Sequence, residues 1–214
     1  MGLDVPLNPR KIPILGVAGG IASGKSLVTE QLKSLGADVI VADAAAHDVL
    51  KLEEVKRAAR ERWGEGIFGP EGEIDRPRLG KIVFAEPPAG PAELEYLEQL
   101  VHPPVRQIIR RQIEQLASNE RTQAIVLDVP LLFESGWNEF CDTVIFVDAP
   151  HEARLARAAA RGWSAEEFER REASQLPLDS KRSQSHVVID NSSSKQSAQA
   201  QVEGFWESLK KHPA

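Results

Sequence analysis

Gly19-Gly20-Ile21-Ala22-Ser23-Gly24-Lys25-Ser26 brings together residue types that handle phosphate. Glycines let a backbone turn tightly enough for successive N–H groups, and the start of a following helix, to converge on phosphate oxygens. In the spacing G-x-x-x-x-G-K-[ST], Lys25 bridges the β- and γ-phosphates of a nucleoside triphosphate and the Ser26 hydroxyl ligates Mg2+. The pattern has meaning only between a strand and a helix. Ile12 to Ala18 is an apolar run of strand length, and Leu27 to Leu35 reads as a helix stopped by Gly36. With both flanks present, a plain strand-to-helix turn carrying an incidental lysine is the weaker reading.

Two further carboxylates stand where strands should end. Ala37 to Asp43 reads as a second strand, and its last residue either faces a ligand crevice or caps a helix running from Ala44 to Val49. Residue type alone leaves those two roles open. Ala124-Ile125-Val126-Leu127-Asp128 is an apolar run closed by an aspartate that could organise Mg2+ directly or through water. Cationic chemistry is concentrated at Arg154, Arg157 and Arg161, spaced to share one face of a helix that Gly162 ends. A solvated, ion-paired face is the ordinary meaning of such spacing. In P-loop kinases, which the phosphate-binding loop resembles, the helices before the last strand form a lid, and that resemblance implies that Arg157 and Arg161 close over a transferring phosphoryl group.

The elements that must position these groups follow from periodicity. Thr143–Asp148 and Val187–Ile189 read as the fourth and fifth strands. Ala198, Val202, Phe205, Trp206 and Leu209 mark one face of a closing helix. Between the second and third strands the pattern is helical throughout. Leu52, Val55, Ala59 and Trp63 mark one helix, and Asp75-Arg76-Pro77 marks the entry to another. Pro87 to Pro91 predicts a break. Leu94, Leu97 and Val101 predict a helix that His102-Pro103-Pro104 interrupts, and Val105 to Leu116 predict a longer one. Ser164 with Glu167 predicts a capping box. The expectation is an α/β fold with a five-stranded parallel sheet built from 11–48, 121–150 and 185–212, a helical insertion at 49–120 and a helical lid at 151–184.

At 214 residues with a net charge of −6, the chain is long enough for such a domain and too acidic to suggest a polynucleotide partner. Its apolar runs fall short of membrane-spanning length. Met1 to Lys11 lacks the apolar core of a signal peptide and reads as a disordered lead-in. The one cysteine, Cys141, cannot form an internal disulfide, fits a reducing cytoplasm, and is expected to be a small buried hydrophobe.

Taken together, these pieces resemble the dephospho-coenzyme A kinases over nearly the whole chain. The resemblance rests on the phosphate-binding P-loop, Ala42-Asp43, Asp75-Arg76 with Leu79 and Val83-Phe84, and Leu100-Val101-His102-Pro103. Val129-Pro130-Leu131-Leu132-Phe133-Glu134, Arg157 with Arg161, and the stretch from Gln175 through Lys181 to Val188-Ile189-Asp190-Asn191 complete it. The His-Pro and Pro-Leu-Leu-Phe-Glu pieces separate it from adenylate, guanylate and shikimate kinases. The resemblance implies a P-loop NTPase fold and transfer of a phosphoryl group from ATP to the ribose 3′-hydroxyl of dephospho-coenzyme A, giving coenzyme A and ADP. It implies Asp43 as the base, with Lys25, Arg157 and Arg161 as its catalytic companions. Gly19, Gly20, Ile21, Ala22, Ser23, Gly24, Lys25, Ser26, Leu27 and Asn191 would bind ATP, with Mg2+ on Ser26 and Asp128 a further candidate ligand. Arg76, His102, Leu131 and Glu134 would face the acceptor, and a histidine merely bonded at a helix break stays open for His102.

Two residues depart from the family pattern. Val41 replaces the first aspartate of Asp-Ala-Asp, leaving Asp43 alone. Leu27 replaces a threonine whose hydroxyl helps hold a phosphate, so a somewhat lower ATP affinity is expected. The partners implied are ATP and dephospho-coenzyme A, without nucleic acid or membrane, for a monomer in the cytoplasm. The alternatives are a kinase for another small hydroxylated acceptor, such as a nucleoside or nucleotide, and a nucleotide-binding switch without transfer activity.

Overall fold

β1 (Ile14–Gly19) is buried at every position, as a strand with neighbours on both sides and layers on both faces must be. It is the centre of a parallel sheet of order β2–β3–β1–β4–β5, with β2 at Ala37–Val41, β3 at Ala124–Asp128, β4 at Thr143–Asp148 and β5 at Val187–Asp190. The strands pair in register, with Gly16 opposite both Leu127 and Val144. The computed structural model describes residues 12–211, so the lead-in read for 1–11 and residue 212 of the closing segment lie outside the described residues. The chain forms two compact units, 42–112 and the described residues on either side of that stretch.

In the sheet unit, alternation along each strand sets the core. Leu15 and Val17, Ala124 and Val126, and Ile145 and Val147 join one cluster with Val28 and Leu32 of α1 (Lys25–Leu35). Ala198, Val202 and Trp206 of α9 (Lys195–Lys211) complete that cluster. Gly36 ends α1 at φ 114°, its N–H donating to the carbonyls of Leu32 and Lys33. Gly16 needs the absence of a side chain: a Cβ there would lie 2.8 Å from both Cys141 Sγ and Leu132. Burial pushes the Cys141 thiol up to about 12, with Asp142 adding to the effect, so this cysteine behaves as packing rather than as a nucleophile.

The helical unit contains α2 (Ala42–Val49), α3 (Glu53–Trp63), α4 (Arg76–Val83) and the first part of α5 (Ala89–Ser118). Its core is Ala59, Ile67, Phe68, Leu79 and Val83, flanked by Trp63, Ile74, Ile82, Leu94 and Leu97. Glu93 accepts both guanidinium N–H groups of Arg62, at 3.0 and 2.8 Å, and the Trp63 indole N–H at 2.8 Å. Asp75 caps α4 as its sequence position predicts, accepting the Arg78 N–H at 3.1 Å.

Four local expectations need correction. The second strand stops at Val41 and α2 begins at Ala42, so Asp43 lies in the first helical turn and not at the cap. Pro87 to Pro91 does not keep the whole stretch out of a helix: Ala89, Gly90 and Pro91 already belong to α5, where a first-turn proline lacks only an orphan N–H. Pro103 and Pro104 do not interrupt the next helix either. They lie inside a single 30-residue α5, removing the hydrogen bonds to the Gln99 and Leu100 carbonyls. Each costs about 3 kcal/mol in a helix interior, and burial of Val105, Ile109, Ile113 and Ala117 along the same helix outweighs it. Finally, the capping box is half formed. Ser164 Oγ accepts the Glu167 N–H at 3.1 Å, while the Glu167 carboxylate turns to Arg170 and Arg171.

Among the described residues, no helix is long and apolar enough to cross a membrane. The α9 anchor yields a stability expectation. Trp206 is 1% exposed, and its indole N–H has no hydrogen-bond partner. Trp206→Ala should cost about 3–5 kcal/mol in urea unfolding. Trp206→Phe should cost far less, because it also removes a buried donor whose burial carries a penalty of about 1–3 kcal/mol.

Candidate active site

The loop between β1 and α1 adopts a backbone path that side chains resist. Gly19 sits at φ 147° and Gly24 at φ 108°. A Cβ on Gly19 would lie 2.6 Å from the Val147 carbonyl, and one on Gly24 would lie 2.2 Å from Asn191 Nδ2. Ala22 takes φ 56°, a left-handed conformation costing about 1–2 kcal/mol for a residue with a Cβ. Side chains brought from far along the chain hold this path. Arg157 of α6 (His151–Ala159) donates to the carbonyls of Ala22 at 3.3 Å and Ser23 at 3.0 Å, and to that of Asn191 at 2.9 Å. Asn191 Nδ2 donates to the Ser23 carbonyl at 2.7 Å. These donors occupy the oxygens that would repel an anion. In the first turn of α1 the Leu27 and Val28 N–H groups donate to the Gly24 carbonyl at 2.9 and 3.3 Å, whereas those of Lys25 and Ser26 lie before any carbonyl the helix could offer.

Lys25 donates to the carbonyls of Gly19 and Gly20 at 3.0 and 3.1 Å, folded back over its own loop. Burial, foremost, lowers its ammonium from 10.5 to about 8. The Lys181 charge lowers it further, Asp128 and Glu134 oppose the shift, and Arg161 adds to it. A desolvated cation among other cations is a site short of negative charge, which a polyphosphate would supply.

The three arginines of the α6 stripe have separate roles. Arg154 is 2% exposed, donates to the Ala149 carbonyl at 3.1 Å and pairs with Glu172 of α7 (Ala165–Ala173). Its guanidinium would also meet a Cβ on Gly20 at 2.9 Å, so it packs beneath the loop. Arg157 clamps the loop carbonyls. Arg161 lies past the end of α6 and is exposed.

The other expected residues of the sheet unit are placed as follows. Ser26 is exposed in the first turn of α1, whereas Leu27 packs against the sheet core. Asp128 ends β3, opposite Val41, and its charge is felt at Lys25. A hydroxyl and a carboxylate are hard oxygen donors of the kind Mg2+ takes, so these residues fit that ion. Asn191 is 5% exposed, with its amide committed to the loop carbonyl. Leu131 is 41% exposed on the segment after β3. Glu134 is not a free carboxylate: Lys181 lies 2.6 Å from Oε1, and the Leu176 N–H donates to the same oxygen at 3.1 Å. Burial raises the Glu134 carboxyl, but the Lys181 ammonium and backbone N–H groups outweigh that and hold it below the usual range. Lys181, 2% exposed, was not singled out by residue type. Its only sequence signal is its place in the Gln175-to-Lys181 segment.

In the helical unit, a cavity of about 420 Å³ collects Asp43, Arg76 and His102, three residues well separated in the chain. Leu79, Val83, Leu97 and Val101 supply an apolar wall, and Phe84, 76% exposed, stands at its edge. His47 also lines this cavity, and its spacing of four from Asp43 on α2 was a legible but unused sign.

The chain is similar to known proteins over most of its length. The family model described as Dephospho-CoA kinase matches residues 13–197. A relative named dephospho-CoA kinase from Symbiobacterium thermophilum is 45% identical over 195 residues, covering 90% of this chain and 80% of its own. One of the same name from Arabidopsis thaliana is 41% identical, covering 85% and 77%. Among solved structures, dephospho-CoA kinase from Campylobacter jejuni superposes with a TM-score of 0.70 at 30% identity, covering 92% of this chain and 97% of its own. Shikimate kinase from Acinetobacter baumannii, at a TM-score of 0.50 and 15% identity, shares the fold alone.

The depressed Lys25 ammonium has a measurable consequence. Between about 8 and 10.5 the unfolded chain holds a proton that the folded one has released, so this group's contribution to stability should rise with pH across that window. A bound triphosphate restores the proton. Calorimetric titration of ATP at and just above pH 8, in buffers of different ionisation enthalpy, should therefore show proton uptake that vanishes near pH 6 and in Lys25→Met.

Proposed function

The chain belongs to the dephospho-CoA kinase family, and from that premise we propose that it transfers the γ-phosphoryl group of ATP to the ribose 3′-hydroxyl of dephospho-coenzyme A. The observation that carries this reading is the cavity lined jointly by Asp43, Arg76 and His102. Acceptor and base roles implied at scattered chain positions fall around one space large enough for part of a nucleotide.

In the mechanism proposed, the loop amides and Lys25 hold the triphosphate, and Lys25 stabilises charge on the transferring group. Asp43 takes the proton from the 3′-hydroxyl. Its oxygen then forms a bond to the γ-phosphorus as the bond to the β–γ bridging oxygen breaks, and ADP leaves. Arg161, exposed beyond α6, closes over the equatorial oxygens, whereas Arg157 keeps the loop in its receiving shape, three of its contacts being already made to carbonyls. Arg76, His102 and Leu131 contact the acceptor, and Glu134 shapes that side through the segment it anchors. Asn191 serves ATP through the Ser23 carbonyl. Ser26, with Asp128 through water, would hold Mg2+, which when bound neutralises charge on the phosphate oxygens.

The core, acceptor-binding and lid divisions at 11–48 with 121–150 and 185–212, at 49–120 and at 151–184 remain part of this proposal. So does a monomer working in the cytoplasm, which a packed, unpaired Cys141 thiol suits.

Asp43→Asn should cut kcat by about 10²–10⁴-fold, the usual worth of a positioned base, while ATP affinity stays near that of the unsubstituted protein. Coupled measurement of ADP formation and equilibrium ATP binding read the two quantities. Unchanged turnover would return Asp43 to a structural role. Faster phosphorylation of a nucleoside or of shikimate than of dephospho-coenzyme A would replace the acceptor proposed.

A further inference from the structure

Buried Lys181 and half-buried Glu134 form an ion pair that neither loop geometry nor the acceptor cavity explains. Lys181 Nζ lies 2.6 Å from Glu134 Oε1 and donates to Gln175 Oε1 at 2.9 Å. The Leu176 N–H donates to that same Glu134 oxygen at 3.1 Å. Glu134 sits six residues beyond Asp128, on the segment leaving β3, and Lys181 lies on α8 (Leu178–Ser183). One lysine thus ties the segment after β3 to α8 and to the turn preceding it. Desolvating two charges rarely adds net stability over an apolar pair of similar volume, so stability alone is a poor reason for this arrangement. Its position is more telling. Leu178, at the start of α8, would meet a Cβ on Gly20 at 3.1 Å, so α8 packs against the phosphate-binding loop. That contact sets the α8 end of the pair beside the loop that leads into Lys25.

We infer that Lys181 is a positioning residue for phosphoryl transfer, acting through Glu134 to hold the segment after β3 and α8 as one body beside Lys25. The inference rests on the transfer reading given above. Without Lys181, the Glu134 carboxylate is stranded in a poorly solvated site, and it either takes up a proton or pulls its segment toward water. Either result displaces the side from which Leu131 meets the acceptor, so the effect belongs in turnover more than in ATP binding.

The test uses the whole chain with Lys181→Met, Glu134→Gln and the double substitution, measuring kcat, KM for both substrates, and melting temperature. Lys181→Met should lower kcat roughly ten- to hundredfold, as a small misplacement of reacting groups does, with KM for ATP changed less than about threefold. The double substitution should have a kcat no lower than that of the worse single. A merely structural pair would lower the melting temperature while leaving kcat, measured well below it, near that of the original. The inference is overturned by a Lys181→Met kcat within about twofold of the original, or by losses in the double that multiply. Should Lys181→Met fail to fold, Lys181→Gln with Glu134→Gln carries the same test, and original turnover in that pair overturns it. Absence of transfer to dephospho-coenzyme A by the unsubstituted chain defeats the functional reading itself, whereas failure confined to the variants defeats only the Lys181 assignment.

Discussion

A backbone that is to offer its N–H groups to an anion must first dispose of its carbonyl oxygens. In this protein that constraint falls on Ala22 and Ser23, whose carbonyls are taken up by Arg157 and Asn191. The donors come from α6 and from just past the end of β5, so parts of the chain more than a hundred residues away hold the receiving loop in shape. The left-handed Ala22 and the crowded Gly19 and Gly24 are the local cost of that shape. Arg154, buried under Gly20 and paired with Glu172, extends the same support into α7.

Charge around the loop is arranged to want a polyanion. Lys25 is desolvated, faces Lys181 and Arg161, and is only partly relieved by Asp128 and Glu134. With its ammonium weakened to about 8, its protonation near neutral pH is easily reinforced by a ligand. Glu134 and Lys181 neutralise one another at the flank, so their net effect on the phosphate site is smaller than either charge alone. That is the electrostatic setting in which a single well-placed lysine can stabilise a transferring group.

Much of the fold was legible because its signals are local. The strands are short, largely apolar runs, three of them (β3, β4 and β5) ending in aspartate, Gly36 stops α1, and Asp75 caps α4, all consequences of near neighbours in the chain. The misread places are those where distant packing overrides local preference. Pro103 and Pro104 look like a helix break, yet burial of Val105, Ile109, Ile113 and Ala117 beyond them carries α5 through. Ser164 and Glu167 have the capping-box spacing, but two nearby arginines compete for the glutamate. The expected stripe of Arg154, Arg157 and Arg161 on one helix is cut short, because α6 ends at Ala159 and Arg161 lies beyond it. Three different environments along it could not be read from a period.

From residue types and spacing alone came the phosphate-binding loop, the parallel α/β class and the acidic and basic residues able to do chemistry, since each depends on contiguous sequence. Tertiary structure alone decided which of those residues gather. Asp43, Arg76 and His102 share one cavity, Arg157 and Asn191 serve the loop backbone, and Glu134 is bound to Lys181 instead of standing free. The physical reason is that a side chain's partner is set by what folding packs against it, often more than a hundred residues away, as with Asn191 and Ser23 at a separation of 168.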